Sequence, residues 1–193
     1  MCNKEVVLMK FLFEYLKDMK TVGAVAPSSK NLAKKMTEPI DFSNCNCIIE
    51  YGAGTGVFTR ELIEKKNKET KLLVIEQNKN FYDMLQEKFG KHDGVYIIHG
   101  EAQRAEEYLR KHQLPSAEYI VSGLPFASLP QNISKEILTT TSRILGENGK
   151  FITFQYTLLK KKFFQEWFHL EDIKLVLLNL PSAFVFTMKP KVF

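Results

Sequence analysis

The segment Ile48-Ile49-Glu50-Tyr51-Gly52-Ala53-Gly54-Thr55-Gly56-Val57-Phe58 sets glycines at alternate positions between an apolar run and a helical one. Backbone can approach a ligand closely there, where a strand ends and a helix opens. The spacing is not that of a dinucleotide fingerprint, which wants its third glycine at position 57, where this chain has Val57. Glu50, two residues before the first glycine, is an acceptor-only carboxylate that suits a bound ammonium and not a pyrophosphate. Glu76 ends the next apolar run, twenty residues after Gly56, where a carboxylate can accept both hydroxyls of a ribose. Glu101 follows the third run in His99-Gly100-Glu101-Ala102. Three carboxylates at successive strand ends converge on one crevice, the place where open α/β sheets bind ligands.

Positioning those groups takes parallel strands that end side by side, and the chain after residue 45 alternates accordingly. Cys47 to Tyr51 precedes a helix over Val57 to Lys66, Leu72 to Glu76 one over Phe81 to Phe89, and Val95 to His99 one over Arg104 to His112. Tyr119 to Ser122 precedes Ser134 to Leu145, and Lys150 to Tyr156 precedes Leu159 to Trp167. Five strand-then-helix units predict a parallel sheet with helices on both faces. Ile173 to Leu178 and Phe184 to Met188, joined by Asn179-Leu180-Pro181-Ser182, predict an antiparallel hairpin on one sheet edge. Ahead of the sheet, residues 5–20 read as an amphipathic helix with Lys10, Glu14 and Lys17 on one face. Phe11, Leu12, Tyr15 and Leu16 belong to its apolar face. It can pack on its own domain or lie in a membrane interface. A second helix, capped by Ser28 or Ser29, runs through Met36.

With 193 residues, 45% hydrophobic and 25% charged, the composition is that of one domain: N-terminal helices over 1–40 and a sheet over 45–193. No stretch approaches the roughly 18 uninterrupted apolar residues that crossing a bilayer requires. The charged start shows no signal-peptide pattern, so the expected compartment is the cytoplasm. Cys2, Cys45 and Cys47 are expected to be free thiols, and no metal site is expected. A net charge of +5 favours anionic partners: nucleic acid, an acidic membrane or a phosphorylated small molecule. The run Lys160-Lys161-Lys162 is read as a solvated helix face.

An acidic residue, a spacer and three alternate glycines resemble the class I S-adenosylmethionine-dependent methyltransferases, over residues 45 to about 190. The resemblance implies a Rossmann-like fold: a seven-stranded, mostly parallel sheet with a C-terminal antiparallel hairpin and an N-terminal helical extension. It implies S-adenosylmethionine as cofactor. Gly52, Gly54 and Gly56 would line the methionine moiety, Glu50 would face its ammonium, Glu76 would hold the ribose, and Glu101 with Ala102 would sit by the adenine. Ser28, Tyr51, Ala53, Gln77 and Ser122 join that cofactor-binding set.

After the fourth strand, amino-directed members carry a polar residue, an apolar one, Pro and an aromatic; here the stretch is Val121-Ser122-Gly123-Leu124-Pro125-Phe126. The resemblance implies catalytic roles for Ser122, Gly123, Pro125 and Phe126, whose turn would hold a neutral amine in line with the methyl group. The ring of Phe126 would favour the ammonium as it forms, by about 0.5–2 kcal/mol. Ribosomal RNA adenine dimethylases are similar here but have Asn in place of Gly123 and Tyr in place of Phe126. They also carry a helical domain after the sheet, for which the 37 residues after Tyr156 leave no room. A closer likeness, nearly end to end, is to the bacterial phospholipid N-methyltransferases, which methylate phosphatidylethanolamine. It rests on Gly23 to Ser29, Glu50 to Arg60, Val121 to Pro130, Phe154-Gln155-Tyr156 and Asn179 to Val185. It implies a phospholipid acceptor, an interfacial role for the first helix at an anionic membrane surface, and substrate contacts from Tyr15, Phe126 and Tyr156. Tyr15, Tyr156, His99 and Glu101 are the candidate proton acceptors. An RNA adenine, a small-molecule amine, or cofactor binding without catalysis are the other readings to be tested.

Overall fold

The structure is a computed structural model that describes residues 27–177, 179 and 181–191, with side chains described from Lys30 on. The expected helix over residues 5–20, with Tyr15, lies outside the described residues, as do Cys2 and the side chain of Ser28.

Seven strands form one sheet in the order β3-β2-β1-β4-β5-β7-β6. They are β1 (Cys47–Tyr51), β2 (Lys71–Glu76), β3 (Val95–His99), β4 (Ala117–Ser122), β5 (Leu145–Gln155), β6 (Phe168–Val176) and β7 (Ala183–Pro190). The first five are mutually parallel, and β7 pairs antiparallel with both β5 and β6. Strand β1 is buried at every residue and β2 at all but its first, as expected of central parallel strands covered on both faces. Alternation along β1 divides the core. Ile49 and Tyr51 face one apolar cluster, while Ile48 joins the other on the opposite face.

The helices are α1 (Pro27–Thr37), α2 (Val57–Lys65), α3 (Lys79–Phe89), α4 (Ala105–Lys111), α5 (Gln131–Ile144) and α6 (Lys161–Phe164). The first three contribute Met36, Leu62 and Leu85 to one cluster; the last three contribute Leu109, Leu138 and Phe164 to the other. Helix α3 starts where it does because the Asn78 side chain accepts the N–H groups of Asn80 (3.0 Å) and Phe81 (3.3 Å). Cys45 and Cys47 are buried free thiols, and burial pushes the pKa of Cys45 up to about 12.

The expected sheet and closing hairpin are present, with corrected boundaries, and α1 begins at Pro27, so that Ser28 and Ser29 lie within the helix and do not cap it. Strand β5 begins at Leu145, not Lys150, because Leu145 pairs with Ala117 across a register shift. Strand β6 begins at Phe168, not Ile173, because β7 offers partners as far as Pro190. The helix expected over Leu159 to Trp167 is one turn, Lys161–Phe164, since the sheet claims Phe168 and the Lys191 N–H ties the Trp167 carbonyl (2.9 Å). That turn is anchored by Phe164, which is fully buried, a contribution of about 2–3 kcal/mol.

Candidate active site

The carboxyl ends of β1 to β5 share one edge of the sheet, and the glycine loop after β1 lies at its centre. Gly52, Gly54 and Gly56 all take left-handed φ angles, of 64°, 54° and 82°. Their surroundings differ. A Cβ on Gly56 would stand 2.6 Å from the Phe89 ring and 2.9 Å from Leu85, so this glycine seats α3 against the loop. A Cβ on Gly54 would meet nothing within 4 Å, so its backbone faces open space where a ligand can lie against it. Glu76, 7% exposed, accepts the Gly54 N–H on Oε2 (2.9 Å) and the Asn78 N–H on Oε1 (2.8 Å). Each oxygen keeps a further lone pair for a vicinal diol.

Glu50 is fully buried, and neither carboxyl oxygen has a hydrogen-bond partner among the described residues. Burial pushes its pKa up to about 8; the Thr59 hydroxyl opposes that shift without closing a hydrogen bond, and the charge of Glu76 adds to it. An unpartnered buried carboxyl carries a desolvation cost that a cationic ligand would offset. The chain thus offers an acceptor for an ammonium, a carboxylate for a diol and an open glycine between them. An amino-acid tail joined to a ribose fits those three features.

The other expected cofactor residues are placed as follows. The Tyr51 ring is fully buried on the core face opposite Glu50, where its hydroxyl accepts from Thr141 Oγ1 (3.4 Å). Strand alternation compels this, so Tyr51 can serve the loop only through backbone, its carbonyl accepting the Gly123 N–H (2.8 Å). Ala53 and Ala102 are buried. Gln77 is exposed and donates to Glu101 Oε1 (3.4 Å), which brings the tips of β2 and β3 together. His99 is exposed, with its Nε2 3.1 Å from the Gln77 carbonyl and its ring against Tyr82.

On the neighbouring side, Ser122 is fully buried, and its Oγ accepts the Leu124 N–H (3.2 Å), bracing the turn after β4. A Cβ on Gly123 would stand 2.6 Å from the Gly52 carbonyl oxygen, so this turn is pressed onto the glycine loop and has no room for a side chain there. The Gly123 carbonyl accepts no hydrogen bond among the described residues. Phe126, with its expected ring-face contact, is a correction. Its ring is fully buried, edge-on to Phe151 (6.1 Å) and Phe164 (5.3 Å), because the Pro125 carbonyl accepts the Ser128 and Leu129 N–H groups and turns the chain inward. It presents no face to a substrate.

The aromatic groups at this edge are others. Phe58, two residues after Gly56, packs edge-on to Phe154 (5.9 Å), which packs edge-on to Tyr156 (5.5 Å), and all three are half-buried. Tyr156 was expected from the sequence; Phe58 and Phe154 were not. The signal for Phe154 lay in the period-two row Ile152, Phe154, Tyr156. The candidate site therefore combines a buried carboxyl suited to a cation, a carboxylate suited to a diol, a backbone carbonyl that accepts no hydrogen bond among the described residues, and a row of aromatic side chains.

A family model described as ribosomal RNA adenine dimethylase matches residues 10–169. An ornithine lipid N-methyltransferase of Singulisphaera acidiphila is 25% identical over 161 residues, covering 81% of this chain and 84% of that protein. An rRNA adenine N-6-methyltransferase of Bacillus licheniformis is 26% identical over 155 residues, covering 77% of this chain, which spans 50% of that protein. Among solved structures, N-methyltransferase NodS from Bradyrhizobium japonicum in complex with S-adenosyl-L-homocysteine superposes with a TM-score of 0.68 at 9% identity, covering 86% of this chain and 89% of that one. At that identity the likeness shows the fold alone.

Proposed function

The chain belongs to the ribosomal RNA adenine dimethylase family and is an S-adenosylmethionine-dependent methyltransferase, and from that premise we propose that it methylates the amine of phosphatidylethanolamine at a membrane surface. The observation that carries the choice of acceptor is the close approach of Gly123 to the Gly52 carbonyl oxygen. It leaves no space for the carboxamide with which an adenine amino group would be held, and it leaves the Gly123 carbonyl as the acceptor at that point. A flexible alkyl amine can present its N–H to one backbone oxygen; a rigid base asks for more. The similarity to a lipid N-methyltransferase along most of both chains supports the same class of acceptor.

S-adenosylmethionine supplies a methyl group on a sulfonium, so transfer to an amine needs no covalent intermediate on the protein. Glu50 takes the ammonium of the amino-acid tail, Glu76 the ribose hydroxyls, and Gln77 with Glu101 flanks the base. The Gly123 carbonyl orients the amine by accepting its N–H. Phe58, Phe154 and Tyr156 offer ring faces to the more highly methylated, more cationic products, a preference of about 0.5–2 kcal/mol. Their apolar bodies also keep water from the amine.

A second reading, methylation of an RNA adenine, is favoured by the family description and by the net charge of +5. One experiment separates the two. Labelled S-adenosylmethionine is supplied with phosphatidylethanolamine vesicles, ornithine-lipid vesicles or ribosomal RNA. Label in phosphatidylethanolamine is the expected result; label only in ornithine lipid keeps the lipid class and changes the headgroup. Label in RNA, with steeply salt-dependent RNA binding, establishes the second reading and removes the first.

A further inference from the structure

The four exposed large hydrophobic side chains among the described residues form two pairs: Leu158 (45%) and Leu159 (67%) just beyond β5, and Leu175 (48%) and Leu177 (70%) at the end of β6. Their electrostatic settings differ. Beside Leu175 and Leu177 most lysines face an acid: Lys35 and Lys174 both pair with Glu38 (2.8 and 3.3 Å), Lys65 pairs with Glu61 (2.7 Å), and Lys34 alone of that lining has no carboxylate partner among the described residues. Leu158 and Leu159 are followed directly by Lys160, Lys161 and Lys162, none of which pairs with a carboxylate among the described residues. Lys160 lies over the Phe163 ring (4.8 Å), and Lys161 and Lys162 are exposed. A charge run that serves only as a solvated helix face would be expected on a longer helix with compensating acids; here it caps a single turn.

The position of this patch gives it a purpose. It begins two residues after Tyr156, at the carboxyl end of β5, the edge that carries the glycine loop and the Gly123 turn. Contacts run from Phe58, next to that loop, through Phe154 to Tyr156, and the chain then passes directly into Leu158. Two leucines for the apolar boundary and three cations that no carboxylate neutralises among the described residues are the complement of an anionic bilayer surface. We propose that residues 158–162 dock the mouth of the active site onto an anionic membrane, so that a lipid amine enters without leaving the headgroup layer. The inference rests on the lipid reading of the acceptor and adds the surface by which the acceptor is reached.

The test is co-sedimentation of the full chain with vesicles of phosphatidylglycerol and phosphatidylcholine, against pure phosphatidylcholine. Lys161→Gln with Lys162→Gln should weaken partitioning to the anionic vesicles by on the order of 20-fold, about fivefold for each lysine. Leu158→Ser with Leu159→Ser should weaken it by on the order of tenfold or more. Leu177→Ser should leave it unchanged. Each variant should bind S-adenosylmethionine like wild type in calorimetry, which shows that it is folded. Anionic-vesicle binding that survives both double substitutions overturns the proposal, as does an equal loss with Leu177→Ser. Self-association of wild type in sedimentation, abolished by Leu158→Ser with Leu159→Ser while vesicle binding persists, makes the patch a contact between copies and overturns it too. Failure of the lipid reading is distinguishable: vesicle binding would follow the expected pattern while neither vesicle-borne nor monomeric short-chain phosphatidylethanolamine became labelled.

Discussion

The tips of β1 to β3 and the tips of β4 and β5 form the two halves of the proposed site, one for the cofactor and one for the acceptor, by different means. The cofactor half is made of backbone and carboxylates: left-handed glycines, two N–H groups aimed at Glu76, and a buried Glu50 without a hydrogen-bond partner among the described residues. The acceptor half is made of packing: a glycine chosen because no side chain fits, a buried aromatic cluster behind it, and a half-buried aromatic row beside it. A cofactor that never changes can be met by fixed dipoles and charges, which work best when preorganised. A lipid amine methylated in steps, under the proposed function, would grow in charge and bulk and be better met by apolar shape.

The largest effect should come from the glycine that seats the cofactor half. Gly56→Ala puts a Cβ at a φ of 82° and 2.6 Å from the Phe89 ring. Strain and overpacking together should cost about 3 kcal/mol, read as a lower denaturation midpoint and loss of cofactor binding. A stable Gly56→Ala protein with wild-type affinity would show that the loop is not held as described.

Glu50→Gln should weaken S-adenosylmethionine binding by about 2 kcal/mol, the contribution of a charge-assisted hydrogen bond, while leaving the fold intact. The pH dependence is the sharper readout. Burial raises the folded-state pKa of Glu50 to about 8 from the ordinary carboxyl value of 4.5. Its contribution to stability is therefore complete below about pH 4.5 and is lost as pH rises through 8. Relative to wild type, Glu50→Gln should gain stability across that window. Binding of a cation beside Glu50 should drive it to ionise, so wild type should release protons on cofactor binding at pH 7 and Glu50→Gln should not. Calorimetry in buffers of different ionisation enthalpy measures this.

The same division explains what the sequence disclosed. The parallel sheet, the closing hairpin, the glycine loop and the three carboxylates could be read because short-range spacing sets them: alternate glycines fix a turn, and a carboxylate at a strand end points to the common edge. The inward turn of Tyr51 follows from the same alternation that exposes Glu50 to the opposite face. A substrate contact from Phe126 is what the resemblance to amino-directed methyltransferases implies, since they carry an aromatic residue after the Pro of the turn that follows β4. Which way that turn sends the ring depends on Phe151 and Phe164, 25 and 38 residues further on. Phe58 and Phe154 meet only because β5 lies beside β4 and α2 covers that face. No local pattern states this.

Gly123→Asn tests whether the acceptor half is tuned by exclusion. Restoring the carboxamide of the RNA enzymes should not restore their chemistry, because its Cβ would be driven against the Gly52 carbonyl oxygen 2.6 Å away. A loss of about 1–2 kcal/mol in stability is expected, as for other overpacked sites, with weaker cofactor binding and no labelling of RNA. A folded Gly123→Asn protein that methylates adenine would make the two halves alike, each an arrangement of polar groups.

The smallest effect belongs to the aromatic row. Phe154→Leu keeps an apolar side chain of similar reach but removes the ring between Phe58 and Tyr156. Cofactor affinity should not change, because no polar group of the cofactor half touches that ring. The acceptor should respond according to its charge: about 1 kcal/mol, or some fivefold in kcat/KM, for the dimethylated amine and less for the primary amine, since the ring face interacts with cationic character. A uniform loss across all three acceptors would mean that the ring merely fills space. A loss that grows with each methyl group would show that the apolar half of the site reads charge as well as shape, which the cofactor half does with carboxylates.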